Sequence, residues 1–173
     1  LLCAEKNLCK KTDGPVIAAL SQYVAEQFAR HYNIDPERLA IIPNGVRTDK
    51  PVNKKAAQQL RSQILSKLNL KEADQPALFL FVANNFRLKG LRPLIQAFAS
   101  AWQNQTTRRP YLVVAGNDKS RKFRHIASRA GIDDKVVFLG PIRHIQNALS
   151  VTDVAVLPTF YDPASRFILE ALA

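Results

Sequence analysis

The sequence predicts an α/β fold: a Rossmann-like, doubly wound parallel sheet. Three observations predict it. Residues 77–82, Ala-Leu-Phe-Leu-Phe-Val, form an almost wholly apolar run, the pattern of a strand covered on both faces. Directly after it, Leu91, Leu94, Ile95, Phe98 and Trp102 recur at the spacing of one helix face. The strand-then-helix order then repeats over short connections, as parallel strands joined by packed crossovers require.

Taken in order, residues 1–12 can form a short helix, which Asp13-Gly14-Pro15 ends. Residues 16–20 read as a buried strand. Ser21 then stands where an N-cap belongs, before a helix over 22–32 in which Val24, Phe28 and Tyr32 recur at helical spacing. Residues 39–42 read as a second short strand, closed by the turn Pro43-Asn44-Gly45. The stretch 47–55 is polar, lacks periodicity and carries Pro51, so it reads as a linker or domain boundary. After it come a helix over 56–68, the apolar strand 77–82 and an amphipathic helix over 90–103 that places Trp102 in the core or at its rim. Strands at 111–115, 136–139 and 154–157 follow, with helices at 119–130, at 144–149 and from 164 onward.

A hydrophobic content of 47% with 23% charged residues excludes disorder as the default. No apolar run is long enough to span a bilayer, and the start lacks the basic-then-apolar order of a signal peptide, so the chain reads as cytoplasmic. Cys3 and Cys9 are too few and too close for a disulfide framework or a zinc site and read as reduced thiols. His31, His125 and His144 show no ligand spacing, so no metal is expected. The formal charge of +11 attracts polyanions: nucleic acid, anionic lipid or phosphorylated substrates. The chain contains no methionine, and its final helical sequence stops without a capping Gly or Asn. It is therefore expected to be an excerpt of a longer gene product.

In doubly wound sheets ligands bind outside the carboxyl ends of strands, which directs attention to four loops. Asn84 through Gly90 follows the first main strand and sets Arg87, Lys89 and a glycine at a strand-to-helix turn. Exposed backbone N–H groups there, joined by a cation, favour phosphate, with charge-assisted bonds of about 1.5–3 kcal/mol each. Taken alone, this segment reads better as two solvated charges, with Gly90 merely turning the chain. Gly116-Asn117-Asp118-Lys119 offers a glycine for close approach, although capping of the next helix by Asp118 or Asn117 is the simpler explanation of those side chains. Gly140 and Pro141 follow the third strand. The fourth loop, residues 161–170, places the carboxylates of Asp162 and Glu170 eight positions apart, with Glu170 on an otherwise apolar helix.

Several of these segments together resemble family 4 GT-B glycosyltransferases in order and spacing: Ser21 after a strand, Ile42-Pro43-Asn44-Gly45-Val46, Lys89-Gly90, Val137-Phe138-Leu139-Gly140, and the acidic pair ending in Glu170-Ala171-Leu172. Within that family, residues 116–123 and 161–170 look most like bacterial lipopolysaccharide core glucosyltransferases. The resemblance implies one half of a two-domain fold, truncated. Residues 1–45 would be the tail of an N-terminal acceptor domain with the interdomain segment, and residues 46–173 a partial nucleotide-sugar-binding domain.

The resemblance also implies roles. Lys89 would contact the donor diphosphate, and Glu170 would accept hydrogen bonds from the ribose. Asp162 stands where the family usually has Glu and would bind hydroxyls of the transferred sugar. Backbone groups at Gly140 and Pro141 would read the base, those at Ser165 and Arg166 would meet phosphate, and Gly116 would admit the donor closely. The family's commoner arginine, five positions before the lysine, is Asn84 here, so Arg87 becomes the candidate second cation. The implied activity is retaining hexosyl transfer, of glucose or mannose, without a metal or other cofactor. UDP-glucose is the first candidate donor and GDP-mannose the second. The acceptor would be a lipopolysaccharide core or another glycan or lipid, reached by peripheral contact with the inner face of an anionic membrane. No nucleic acid partner is expected, although the basic segment 119–129 keeps a non-catalytic nucleotide- or nucleic-acid-binding module as the alternative.

Overall fold

A computed structural model describes residues 6–9, 13–49, 51–103 and 108–173. The chain divides into two compact units, Leu1–Val46 with Asp162–Arg166, and Arg47–Tyr161 with Phe167–Ala173.

In the first unit, β1 (Ile17–Ala19) pairs in parallel with β2 (Leu39–Ile41). Between them runs α1 (Gln22–Tyr32), whose first turn is capped by the Ser21 hydroxyl accepting the Val24 N–H and which ends at Asn33 in the left-handed conformation. Both strands are shorter than expected by a residue or two. Of the helix expected over 1–12, residues 6–9 are helical and the remainder lies outside the described residues. Cys9 is a buried free thiol. Cys3 also lies outside the described residues.

The second unit is a four-stranded parallel sheet of order β5-β4-β3-β6, made of β3 (Ala77–Val82), β4 (Pro110–Ala115), β5 (Val136–Gly140) and β6 (Val154–Ala155). Alternation along its strands explains the double layer. Phe81, Leu112, Val114, Val136 and Phe138 pack with Leu91, Leu94, Ile95 and Phe98 of α3 (Leu91–Gln103) and with Phe123 and Ala127 of α4 (Arg121–Arg129). Their sequence neighbours Leu78, Leu80, Tyr111, Val113 and Val137 pack instead with Ile64 of α2 (Lys54–Lys67), Ala148 of α5 (Ile145–Leu149) and Phe167 of α6 (Arg166–Leu172). Period-two side chains thus supply two cores from one set of strands. Each fully buried Leu, Val or Phe contributes about 1.5–3 kcal/mol.

Several boundaries in this unit differ from the sequence expectation. The helix α2 begins at Lys54 rather than 56 because the Asn53 side chain caps the Ala56 N–H, while the Asn53 N–H itself donates to Oδ1 of the buried Asn147. Strand β6 covers two residues instead of four. Val156 N–H still reaches Leu80 O, but Pro158 has no N–H to extend the ladder and the chain turns, with Thr159 N–H on Leu157 O. The last helix starts at Arg166, after a turn at Pro163 and Ala164.

At the amino end of β4, Trp102 Nε1–H donates to Pro110 O at 2.7 Å. Its ring meets Tyr111 edge-on, with Lys135 Nζ 4.7 Å and the Arg109 guanidinium 5.6 Å from its centre. The indole is a rim residue of both cores.

Candidate donor site at the carboxyl ends of the strands

The loops following β3, β4 and β5 are fastened to one another at one edge of the sheet. Gly116 N–H donates to Gly140 O at 2.9 Å, and Asn117 N–H donates to Asn84 Oδ1 at 3.3 Å. Gly116 has φ +139°, and a Cβ there would lie 1.7 Å from Ala83 O, so only glycine lets these two loops approach. Asp118 does not cap α4, contrary to the simpler reading of the sequence. Its Oδ2 accepts the Phe86 N–H at 2.7 Å and its Oδ1 the Lys119 N–H at 2.6 Å. Holding Lys119 this way delays α4 until Arg121, whose preceding residue, Ser120, makes no side-chain cap.

Lys89 owes its position to a compact turn. Asn85 Oδ1 accepts the Leu88 N–H at 2.9 Å, and Asn85 O accepts the Lys89 N–H at 3.0 Å. The next residue, Gly90, has φ +79°, and a Cβ there would sit 1.9 Å from Pro158 O. This contact presses the β3–α3 turn against the segment leaving β6. Phe160 N–H donates to Leu88 O at 3.1 Å, and Lys89 Nζ donates to Tyr161 O at 3.1 Å. The ammonium therefore lies at the start of the acidic loop.

Not every site residue expected from the sequence is gathered in one place. Arg87 lines a cavity of about 620 Å³ at the carboxyl ends of β3 and β4, between the first turns of α3 and α4. Glu170 is half-buried on α6 and lines a different cavity of about 350 Å³, with Arg47, Thr48, Gln146 and Ser150. Lys89 lines neither of these two. Gly140 is the last residue of β5 and Pro141 the first after it, and both lie outside the two cavities. Asp162, Ser165 and Arg166 group with the first unit, whereas Glu170 groups with the second. Arg47, which lines the cavity with Glu170, lies 2.9 Å from Asp49, which raises the pKa of that guanidinium, but the pair is exposed and adds little to stability. Among the described residues, no group of three or more His, Cys, Asp or Glu is arranged to hold a metal ion.

Sequence reasoning missed Asp118 as the link between loops, because its partner lies 32 residues away. It also missed Thr159, whose hydroxyl donates to Tyr161 O at 2.9 Å and accepts the Tyr161 N–H at 3.2 Å, shaping the segment that Lys89 touches. A Thr just after a strand-ending proline was the one available signal.

A family model described as glycosyl transferases group 1 matches residues 62–173, and one described as glycosyltransferase family 4 matches residues 4–50. The lipopolysaccharide glucosyltransferase WaaG of Escherichia coli (strain K12) is 30% identical over 145 residues, which cover 84% of this chain and 38% of WaaG. A crystal structure of WaaG, a glycosyltransferase involved in lipopolysaccharide biosynthesis, matches with a TM-score of 0.82 at 26% identity, over 99% of this chain and 45% of that one. The Anabaena protein Alr3699/HepE, in complex with UDP and glucose, matches in fold with a TM-score of 0.80 at 19% identity, again over 99% and 45%. The chain thus spans less than half the length of these relatives. The group 1 match takes in the whole four-stranded sheet and the loops at its carboxyl edge. This chain belongs to the group 1 glycosyl transferases and has the α/β architecture of GT-B enzymes.

Proposed function

We propose that the chain is the donor-binding part of a retaining hexosyltransferase that uses a nucleotide sugar, UDP-glucose first and GDP-mannose second. Residues 1–45 belong to the acceptor domain and its connection, and residues 46–173 to the donor domain. The observation that carries this reading is the placement of Lys89 on Tyr161 O, at the head of the loop that leads to Asp162 and Glu170. It is supported by the likeness to WaaG, a lipopolysaccharide glucosyltransferase, and to a protein whose structure holds UDP and glucose.

In this reading the bond from the anomeric carbon to the diphosphate breaks, its electron pair leaves with the diphosphate, and an acceptor hydroxyl oxygen bonds to the carbon on the same face as its proton passes to the departing phosphate oxygen. Charge grows on the departing diphosphate. Lys89, Arg87 and the backbone N–H groups of Ser165 and Arg166 stabilise that charge without reorganisation, which is the largest usual contribution to such a rate. Glu170 holds the ribose, Asp162 the sugar, Gly140 and Pro141 the base, and Gly116 leaves room for the donor. No metal or other cofactor is needed, because the cations on the diphosphate are side chains. The acceptor is a lipopolysaccharide core or another glycan or glycolipid, met at the cytoplasmic face of a membrane by peripheral contact. No helix in the described residues is long and apolar enough to cross a membrane.

Calorimetric titration with UDP, GDP, UDP-glucose and GDP-mannose tests this reading. Binding of one nucleotide series that is lost in Glu170→Ala is expected. Equal affinity of wild type and Glu170→Ala for every ligand would sink the assignment. Tight, salt-sensitive RNA or DNA binding with no nucleotide-sugar binding would favour a nucleic-acid module instead.

A further inference from the structure

Five cations of the second unit line one concave place. The cavity of about 620 Å³ between α3 and α4 is rimmed by Arg87, Arg92, Lys119 and Lys122. It continues along the same two helices into a smaller hollow of about 250 Å³, which shares Arg92 and Ile126 and adds Arg129. Among the described residues, Arg47, Arg61, Arg108 and Lys135 each pair with a carboxylate, whereas none of the five cations of this groove does. The one carboxylate in the groove, Asp118, is already taken up by the backbone N–H groups of Phe86 and Lys119. Five like charges around low-dielectric walls repel one another and focus a positive potential into the cleft. An anion seated among them relieves that repulsion.

The floor limits the ligand further. Pro93, Phe123 and Ile126 are apolar, and Phe160, 73% exposed, lines the same cavity. A volume in the range of small-molecule sites, with an apolar floor and a cationic rim, suits a phosphate group attached to a ring or chain. We propose that the α3–α4 groove is a second anion site, which takes a phosphate ester on Arg92, Lys119, Lys122 and Arg129 with its organic part over Phe123 and Ile126. Of the residues in the donor reading only Arg87 lines the groove, and the proposed contacts leave it out; Lys89, Gly140, Pro141 and Glu170 do not line it.

The test is titration of the protein with phenyl phosphate, and separately its co-sedimentation with phosphatidylglycerol–phosphatidylcholine vesicles, in wild type, Arg92→Ala/Lys122→Ala and Lys67→Ala, the last an exposed cation of α2 outside the groove. The double variant should bind at least about tenfold more weakly, the effect of losing charge-assisted bonds, while Lys67→Ala stays within about threefold of wild type. If phenyl phosphate shows this pattern, the site takes soluble phosphate esters. If only vesicles show it, the ester is a lipid headgroup. The proposal is overturned if the double variant binds both probes like wild type, if Lys67→Ala loses as much as the double variant, or if neither probe binds and an RNA oligonucleotide does. Arg92 and Lys122 are exposed, so unchanged melting temperatures are expected, and a single Lys122→Glu variant provides an independent reading should the double variant unfold.

Discussion

The Asp118 carboxylate accepts the backbone N–H of Phe86 at 2.7 Å, so a side chain following β4 fixes the loop that follows β3. Phe86 is itself 2% exposed and stacks edge-on against Phe81 and Phe123. One hydrogen bond thereby anchors both the core and the turn that leads to Lys89.

Replacing Asp118 with Ala should leave the Phe86 N–H without its acceptor and cost about 1–3 kcal/mol of stability. Urea unfolding of Asp118→Ala and Asp118→Asn measures this. The Asn variant retains an acceptor oxygen and should lose less; equal loss in both would mean that the carboxylate charge, not the hydrogen bond, is what counts.

Gly90→Ala should be more damaging than Gly131→Ala. Both glycines have positive φ, +79° and +70°, which costs a side chain about 1–2 kcal/mol. Only Gly90 adds a collision with Pro158 O, whereas Gly131 faces open space. Overpacking of this kind costs a further ~1–3 kcal/mol. Matched denaturation curves for the two variants decide the matter, and similar midpoints would show that the Gly90–Pro158 contact yields freely.

In the full-length enzyme, Lys89→Ala is predicted to lower kcat by about 10²–10³, the usual effect of removing one preorganised donor to developing charge. Steady-state turnover with saturating nucleotide sugar reads this directly. Near-normal turnover would remove Lys89 from the mechanism.

Glu170→Ala should weaken nucleotide binding by about 10–100-fold through loss of charged hydrogen bonds to the ribose. Titration with the nucleoside diphosphate and its 2′-deoxy analogue localises the effect. Wild type should discriminate between the two, and the variant should not.

Much of both units is legible in the sequence. The apolar run of β3, the face of α3 and the Ser21 cap rest on residues within a turn or two of one another, and period and capping chemistry read such local relations. What escapes is set across long separations. Asn53 starts α2 early because Asn147, 94 positions away, takes its N–H. Asp118 serves Phe86 rather than its own helix, and β6 is cut short by what Pro158 cannot donate. The candidate site divides in the same way. Its strand-end loops follow from fold class, but that Arg87 and Glu170 line separate cavities depends on how distant loops bear on one another.

The chain has a single tryptophan, and its indole lies between two cations at the amino end of β4. The opposite end of that strand, where Gly116 begins, is about 16 Å away at strand rise. Trp102 is therefore a built-in fluorophore at the far edge of the sheet from the loops at the carboxyl ends of the strands. Its emission should respond strongly to unfolding and hardly at all to ligands, so fluorescence melts and fluorescence titrations of this protein report two different events.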